Sequence, residues 1–319
     1  MEPMQTAQLT STSRAPRFTL TRQAALTACE WSEALGPEPT MLKRTKRFNE
    51  RDLVRWRGYE YGQLAHYVYK YYAHKDAAIP KDCGDWKVMS TADLLAIGVK
   101  ADLLKDPSDI HSFAAVVLKR DEEIVVSFRG SVGSKVPPSQ NWKSNLGENF
   151  GFETKEHTMA MALALAIKKG LSMSGSKCTL TFTGHSLGGG LASAAAVVTG
   201  LRAYTMDSAP VHAITMLRYF NSEKTRCTRI DVENLIKNAD VFALHHKPDF
   251  VSALNGLASR KAIGKAFGFE ATKAFNDSYK PGGVLGDSTI QRLKKGHKMG
   301  FLLSAMQAET DQRETDGKR

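Results

Sequence analysis

The sequence predicts an α/β fold, with a mainly parallel central sheet and helices on both of its faces. Two observations carry that expectation. From residue 112 onward, short β-branched runs alternate with helical patterns in the order strand, helix, strand, helix, strand, the signature of parallel strands joined by crossover helices. One of those strands, Thr179–Thr183, also stops at Gly184 and gives way directly to a run of small residues at helical spacing. Reactive groups of an open parallel sheet gather at such carboxyl-end junctions. The chain has 319 residues, enough for one large domain with extensions or for two modest domains.

The elements follow in order. Residues 1–50 are polar and basic, with Pro16, Pro37, Pro39 and the cluster Lys43, Arg44, Lys46 and Arg47, and read as an N-terminal extension. Their first 29 residues contain Glu2 as the only acid and no apolar core, which argues against a Sec signal; a loosely attached tail is the plainest reading beside an organellar transit peptide. Residues 52–74 place Leu53, Val54, Leu64, Tyr67, Val68 and Tyr71 at three- and four-residue spacing, a helix with one buried face. Two strands, Ser112–Lys119 and Glu123–Arg129, flank the turn at Asp121 and read as a hairpin. A helix over 153–170 ends in Lys168, Lys169 and Gly170, basic residues followed by a glycine stop. Further strands are expected at Ala203–Asp207 and Asp240–His246, with a helix near Asp231–Lys237 between them. The domain is expected to span 51–305, with 306–319 as a polar tail.

Bulk properties bound the chemistry. No apolar run approaches the ~20 residues that span a bilayer, so the expectation is a soluble protein, cytoplasmic or secreted without a Sec signal. The four cysteines are far apart and show neither metal-ligand spacing nor a disulfide framework. Net charge is +11, from 44 Lys and Arg against 33 Asp and Glu. Such a surface favours polyanions, and the absence of any nucleic-acid-binding motif directs that expectation toward anionic membrane surfaces.

Gly184-His185-Ser186-Leu187-Gly188 has the G-x-S-x-G pattern of a nucleophile elbow. A strand must reverse sharply into a helix while holding Ser186 at the turn, and side chains at Gly184 or Gly188 would collide with neighbouring backbone. A serine hydroxyl is a poor nucleophile until a base takes its proton, normally a histidine oriented by a carboxylate. In this arrangement the chain order is serine, acid, histidine. After Ser186 the histidines are His212, His245, His246 and His297. His212 follows the serine too closely, and His245 and His246 precede any plausible loop acid, which leaves His297 as the base. Two acids remain open: Asp249, three residues past a strand, and Asp207, at the end of another. The oxyanion of an acyl-transfer intermediate needs two backbone amides, expected from Leu187 and from Ser131 at the strand-to-loop junction Val126–Ser131.

Three separated motifs together resemble the class 3 lipases, a branch of the α/β-hydrolases: Ser127–Ser131, Thr183–Ala192, and Pro248–Val251 followed by His297. Asn141–Leu146 is similar to the segment those lipases carry after the oxyanion strand. The resemblance covers roughly residues 60–305 and implies an α/β-hydrolase fold, with Ser186 as nucleophile, Asp249 as acid, His297 as base, and Ser131 and Leu187 as the oxyanion hole. It implies a lipase or phospholipase that works through an acyl-enzyme without metal or organic cofactor. The helix after Ser186 looks most like bacterial members, some of which are phospholipases delivered into rival cells; an inhibitor of the immunity type would then be a partner. Ser131 stands where Thr is usual, and Asp207 where a neutral residue is more common. A small-ester carboxylesterase and a non-catalytic hydrolase-fold protein that binds membranes or a partner are the competing readings. Between Asp249 and His297, Leu257, Ile263, Phe267, Ala271 and Ala274 fall near one helical face, with Arg260, Lys261, Lys265 and Lys273 largely opposite. That pattern reads as a basic amphipathic covering helix suited to an anionic membrane.

Overall fold

The computed structural model describes residues 50–73, 82–105, 113–131, 155–223, 225–247, 262–270, 272–273 and 297–316. A long helix, α1 (Glu50–Ala73), precedes a short antiparallel ribbon, β1 (Asp82–Cys83) and β2 (Trp86–Val88), and a short helix, α2 (Thr91–Ala96). The strands β3 (Ala115–Arg120) and β4 (Glu123–Phe128) form the hairpin that the sequence predicts, turning at Asp121, which adopts positive φ. There follow α3 (Lys155–Met173), β5 (Thr179–His185), α4 (Leu187–Thr199), β6 (Ala203–Met206), α5 (Ala213–Ser222), α6 (Arg229–Lys237), β7 (Val241–His246), β8 (Lys265–Phe269) and α7 (Met299–Asp316).

These strands make one eight-stranded sheet in the order β1 to β8. The first four pair antiparallel, whereas β4 through β8 run parallel. Because the parallel strands are laid down in sequence order, right-handed crossovers should put every connecting helix on the same face. The core agrees. Buried residues of α3, α4, α5 and α6 (Leu163, Leu191, Met216 and Val232) pack in one cluster with Val117, Val126 and Phe182. The opposite face, with Val116, Leu118, Val125, Tyr204 and Leu244, is covered by α1 and α7, the first and last described helices. The alternation Val116 against Val117 and Val125 against Val126 is the period-two division of a strand buried on both sides.

Side chains from the sheet also bind α1 directly. Ser127 Oγ donates to the Leu64 carbonyl at 3.0 Å, and Thr183 Oγ1 lies 3.1 Å from the Tyr61 carbonyl and 2.8 Å from that of Tyr204. At the other end of α1, Arg55 pairs with Asp52 and with Glu309 of α7.

Two sequence expectations are corrected. Residues 265–269 form a strand on the free edge of β7, not part of an amphipathic helix. Ile263 packs in the crossover-helix core, while Phe267 and Phe269 pack on the opposite face. The i, i+4 spacing of Ile263 and Phe267 reads as helical, but the period-two pair Phe267 and Phe269 is the spacing the sheet uses. Leu257, Arg260, Lys261, Ala271 and Ala274 lie outside the described residues. The short apolar helix after His297 also continues well past residue 305: α7 runs to Asp316, with Met306 buried and Glu309 in the ion pair with Arg55.

Candidate active site

The elbow forms as its residue types require. Ser186 has φ 60° and ψ −125°, a conformation that L-residues rarely adopt and that sheets hold only when the surroundings over-determine it. Those surroundings are backbone hydrogen bonds: Ser186 N–H donates to the Met206 carbonyl at 3.0 Å, and Ala209 N–H donates to the Ser186 carbonyl at 3.0 Å. A Cβ on Gly184 would collide with the Gly188 carbonyl, and one on Gly188 with the Phe128 carbonyl. Helix α4 begins at Leu187, so the first amide of the helix follows the hydroxyl directly. Its N–H has no intrahelical acceptor and lies at the positive end of the helix dipole.

Sequence-distant residues converge here. His297 Nε2 lies 2.8 Å from Ser186 Oγ, although 111 residues separate the two. Ser186 is buried, with 8% of its surface exposed, so this bond is made with little competition from water. Asp207 follows β6 with φ 43° and is fully buried; one carboxylate oxygen accepts the His246 N–H at 2.8 Å. One ligand-type atom from each of His185, Asp207 and His297 lies within 4.8 Å of the others. Two of the histidine nitrogens in that group face protein atoms, His297 Nε2 at Ser186 and His185 Nε2 at the His297 carbonyl. Asp249 lies outside the described residues, as does Asn141–Leu146.

The remaining histidines have other surroundings. His212 caps α5, its Nδ1 accepting the Ile214 N–H at 3.1 Å. His246 is wholly buried at the end of β7. Ser131, exposed, follows β4 past Gly130, whose own N–H donates to the Tyr69 hydroxyl at 3.0 Å. That hydroxyl lies 3.3 Å from both Nδ1 and the carbonyl oxygen of His185. Burial lifts the Tyr69 phenol well above the ordinary tyrosine range, outweighing the opposing pull of the Gly130 amide and of Arg129, so it stays neutral. Burial acts likewise on Tyr72, whose ring lies 5.1 Å from the Arg129 guanidinium and whose hydroxyl donates to the Ala115 carbonyl at 2.9 Å. Tyr69 and His185 were missed by sequence reasoning. His185 occupies a variable position of the elbow motif, and Tyr69 lies on a helix whose aromatic residues read as core. The arrangement suits nucleophilic acyl transfer, since an alcohol, an imidazole and free helix amides meet at one strand end.

A phospholipase-like family model, described as a Tle-like phospholipase domain, matches residues 60–291. An extracellular phospholipase A1 of Serratia liquefaciens is 31% identical over 134 residues, which is 41% of this chain and 37% of that protein. The chain thus spans little more than a third of the length of that relative. Among solved structures, the Rhizomucor miehei lipase in its propeptide complex is similar with a TM-score of 0.42 and 17% identity, over 76% of this chain and 80% of that one. The Lip2 lipase of Yarrowia lipolytica is similar with a TM-score of 0.38 and 12% identity, over 70% of this chain and 80% of that one.

Proposed function

The chain belongs to the phospholipase-like family defined by the Tle-like phospholipase domain, and from that premise we propose that it is a serine phospholipase, cleaving acyl esters through an acyl-enzyme on Ser186. The observation that carries the reading is the 2.8 Å approach of His297 Nε2 to Ser186 Oγ at the start of α4.

The steps follow from those positions. His297 Nε2 takes the Ser186 proton as Oγ attacks the acyl carbonyl carbon, and the carbonyl electrons move onto oxygen. The amides of Leu187 and Ser131 receive that oxyanion. As the tetrahedral intermediate collapses, the bond to the glycerol oxygen breaks and the imidazolium returns its proton to that oxygen, releasing lysophospholipid. Water, deprotonated by the same imidazole, then frees the fatty acid. Asp249 is the carboxylate assigned to hold the imidazole and balance its charge, on the resemblance of Pro248–Val251 to the lipase motif; Asp207, which fits the order serine, acid, histidine equally well, is the competing candidate.

The net charge of +11 favours anionic phospholipid surfaces over soluble esters. A role against rival bacteria, with an inhibitor protein as partner, is supported by the likeness of the helix after Ser186 to bacterial family members. Among the described residues, no helix is long and apolar enough to cross a membrane.

The test is lipid analysis after incubation with vesicles of phosphatidylglycerol and phosphatidylethanolamine. Fatty acid and lysophospholipid should appear in equal amounts. Ser186→Ala should lower turnover by about 10⁴-fold or more and abolish labelling by a fluorophosphonate. Hydrolysis that survives in that variant would refute the assignment.

A further inference from the structure

Two polar side chains beside Ser186, the buried His185 and the half-buried Tyr69, have no part in the acyl-transfer steps above. His185 ends β5, immediately before the nucleophile, and its Nε2 lies 2.8 Å from the backbone carbonyl oxygen of His297. A carbonyl can only accept, so Nε2 carries the proton and the tautomer of His185 is thereby assigned. Nδ1, on the far side of the ring, lies 3.3 Å from the Tyr69 hydroxyl, which in turn accepts the Gly130 N–H at 3.0 Å. The rings are ordered to match. Tyr69 meets His185 edge-on with centroids 6.0 Å apart, and His185 lies beside His297 at 4.7 Å. The contacts therefore run from the junction after β4, through α1, through the residue preceding the nucleophile, to the main chain of the base.

We propose that His185 is a positioning residue: its Nε2–H bond to the His297 carbonyl fixes the backbone that carries the general base, and Tyr69 fixes the ring of His185. The inference rests on the assignment of Ser186 and His297 as nucleophile and base. His297 touches the serine through its side chain and His185 through its main chain, so the two bonds restrain the imidazole from both ends of the same residue. Tyr69 also occupies the Gly130 amide, which removes that N–H from the set available to an oxyanion and leaves the next one, on Ser131.

The experiment uses the full chain, with p-nitrophenyl butyrate turnover and the rate of fluorophosphonate labelling as readouts, and circular dichroism to show that each variant is folded. The Nε2 nitrogens of Gln and His both lie three bonds from Cβ, whereas the Asn nitrogen lies two, so His185→Gln can still reach the carbonyl and His185→Asn cannot. His185→Asn should lower kcat about 100-fold with KM unchanged, the scale of loss expected when a reacting group is displaced by about 1 Å. His185→Gln should recover most of that loss, and Tyr69→Phe should lower kcat less than His185→Asn does. Wild-type kcat in His185→Asn, or equal losses in the Gln and Asn variants, overturns the inference. If the Asn variant does not fold, Tyr69→Phe decides it, because wild-type kcat in that folded protein overturns the inference too. Labelling or turnover that persists in Ser186→Ala, or a wild type inert to both probes, sinks the serine-hydrolase reading itself and this inference with it.

Discussion

Asp207 is constrained twice over, by a left-handed backbone at φ 43° and by the His246 N–H that its carboxylate accepts in a fully buried setting. Asparagine tolerates that backbone and can still accept through its amide oxygen, so Asp207→Asn removes charge and little else. With Asp249 as the supporting acid, Asp207→Asn should lower kcat far less than Asp249→Asn, which should lower it about 10⁴-fold, the cost of a wrongly oriented base. The reverse order, read from steady-state kinetics of both variants, would move the role to Asp207. Asp207→Ala should additionally cost about 2–4 kcal/mol of stability in urea unfolding, through a lost buried acceptor and a strained backbone. The meeting of Ser186 with His297 was legible in the sequence, because a spaced motif marks one and few histidines compete for the other. The acid was not, since Asp207 and Asp249 both follow strands and only the path of the chain decides which faces the imidazole. Tyr69 and His185 act through hydrogen bonds that span 116 residues, and no local pattern encodes such a pairing.

The elbow joining β5 to α4 was readable to the residue, because its geometry admits few residue types. Gly184 and Gly188 approach backbone atoms so closely that neither has room for a methyl group. Gly184→Ala should therefore destabilise the protein by about 3 kcal/mol or more, the range reserved for overpacking that the structure cannot relax. The check is a urea titration, and a midpoint matching wild type would show that α4 can shift to make room. The edge strand β8 was not readable in the same way. Its sequence, Lys265-Ala266-Phe267-Gly268-Phe269, is short and carries weak strand propensity. It becomes a strand by pairing with β7, with His245 opposite Gly268 and His246 opposite Phe269. A partner edge is a tertiary fact, so a helical period could be fitted to the same residues.

Across the whole molecule, the sequential order of the parallel strands leaves one face of the sheet without crossover helices, and α1 and α7 close it. The two helices come from opposite ends of the described chain, so that face is completed only when both are in place. Their contact is both apolar and charged. Leu302, Ala305 and Met306 are buried against the sheet with Val54 and Leu64, and Glu309 reaches the Arg55 guanidinium at 2.6 Å, where the arginine side chain is only 5% exposed. Ending the chain at Ala305 removes Met306 and Glu309, leaving Arg55 with the Asp52 carboxylate 3.3 Å away. Deleting a buried Met costs about 2–5 kcal/mol, and removing one member of a buried ion pair about 3–5 kcal/mol. Even allowing for solvent on the Glu309 side, a loss on the order of 5 kcal/mol is comparable to the whole stability of an ordinary domain. The truncated protein should therefore unfold at much lower urea, and it should lose turnover before it loses secondary structure. The reason is positional: α7 begins at Met299, two residues after His297, so fraying this helix loosens the segment that holds the imidazole against Ser186. Glu309→Gln in the full chain isolates the charge, and should cost less than the truncation while leaving kcat near wild type. A truncated protein with an unchanged unfolding midpoint would mean that α7 beyond Ala305 is ornament on the domain rather than the cover of its second face.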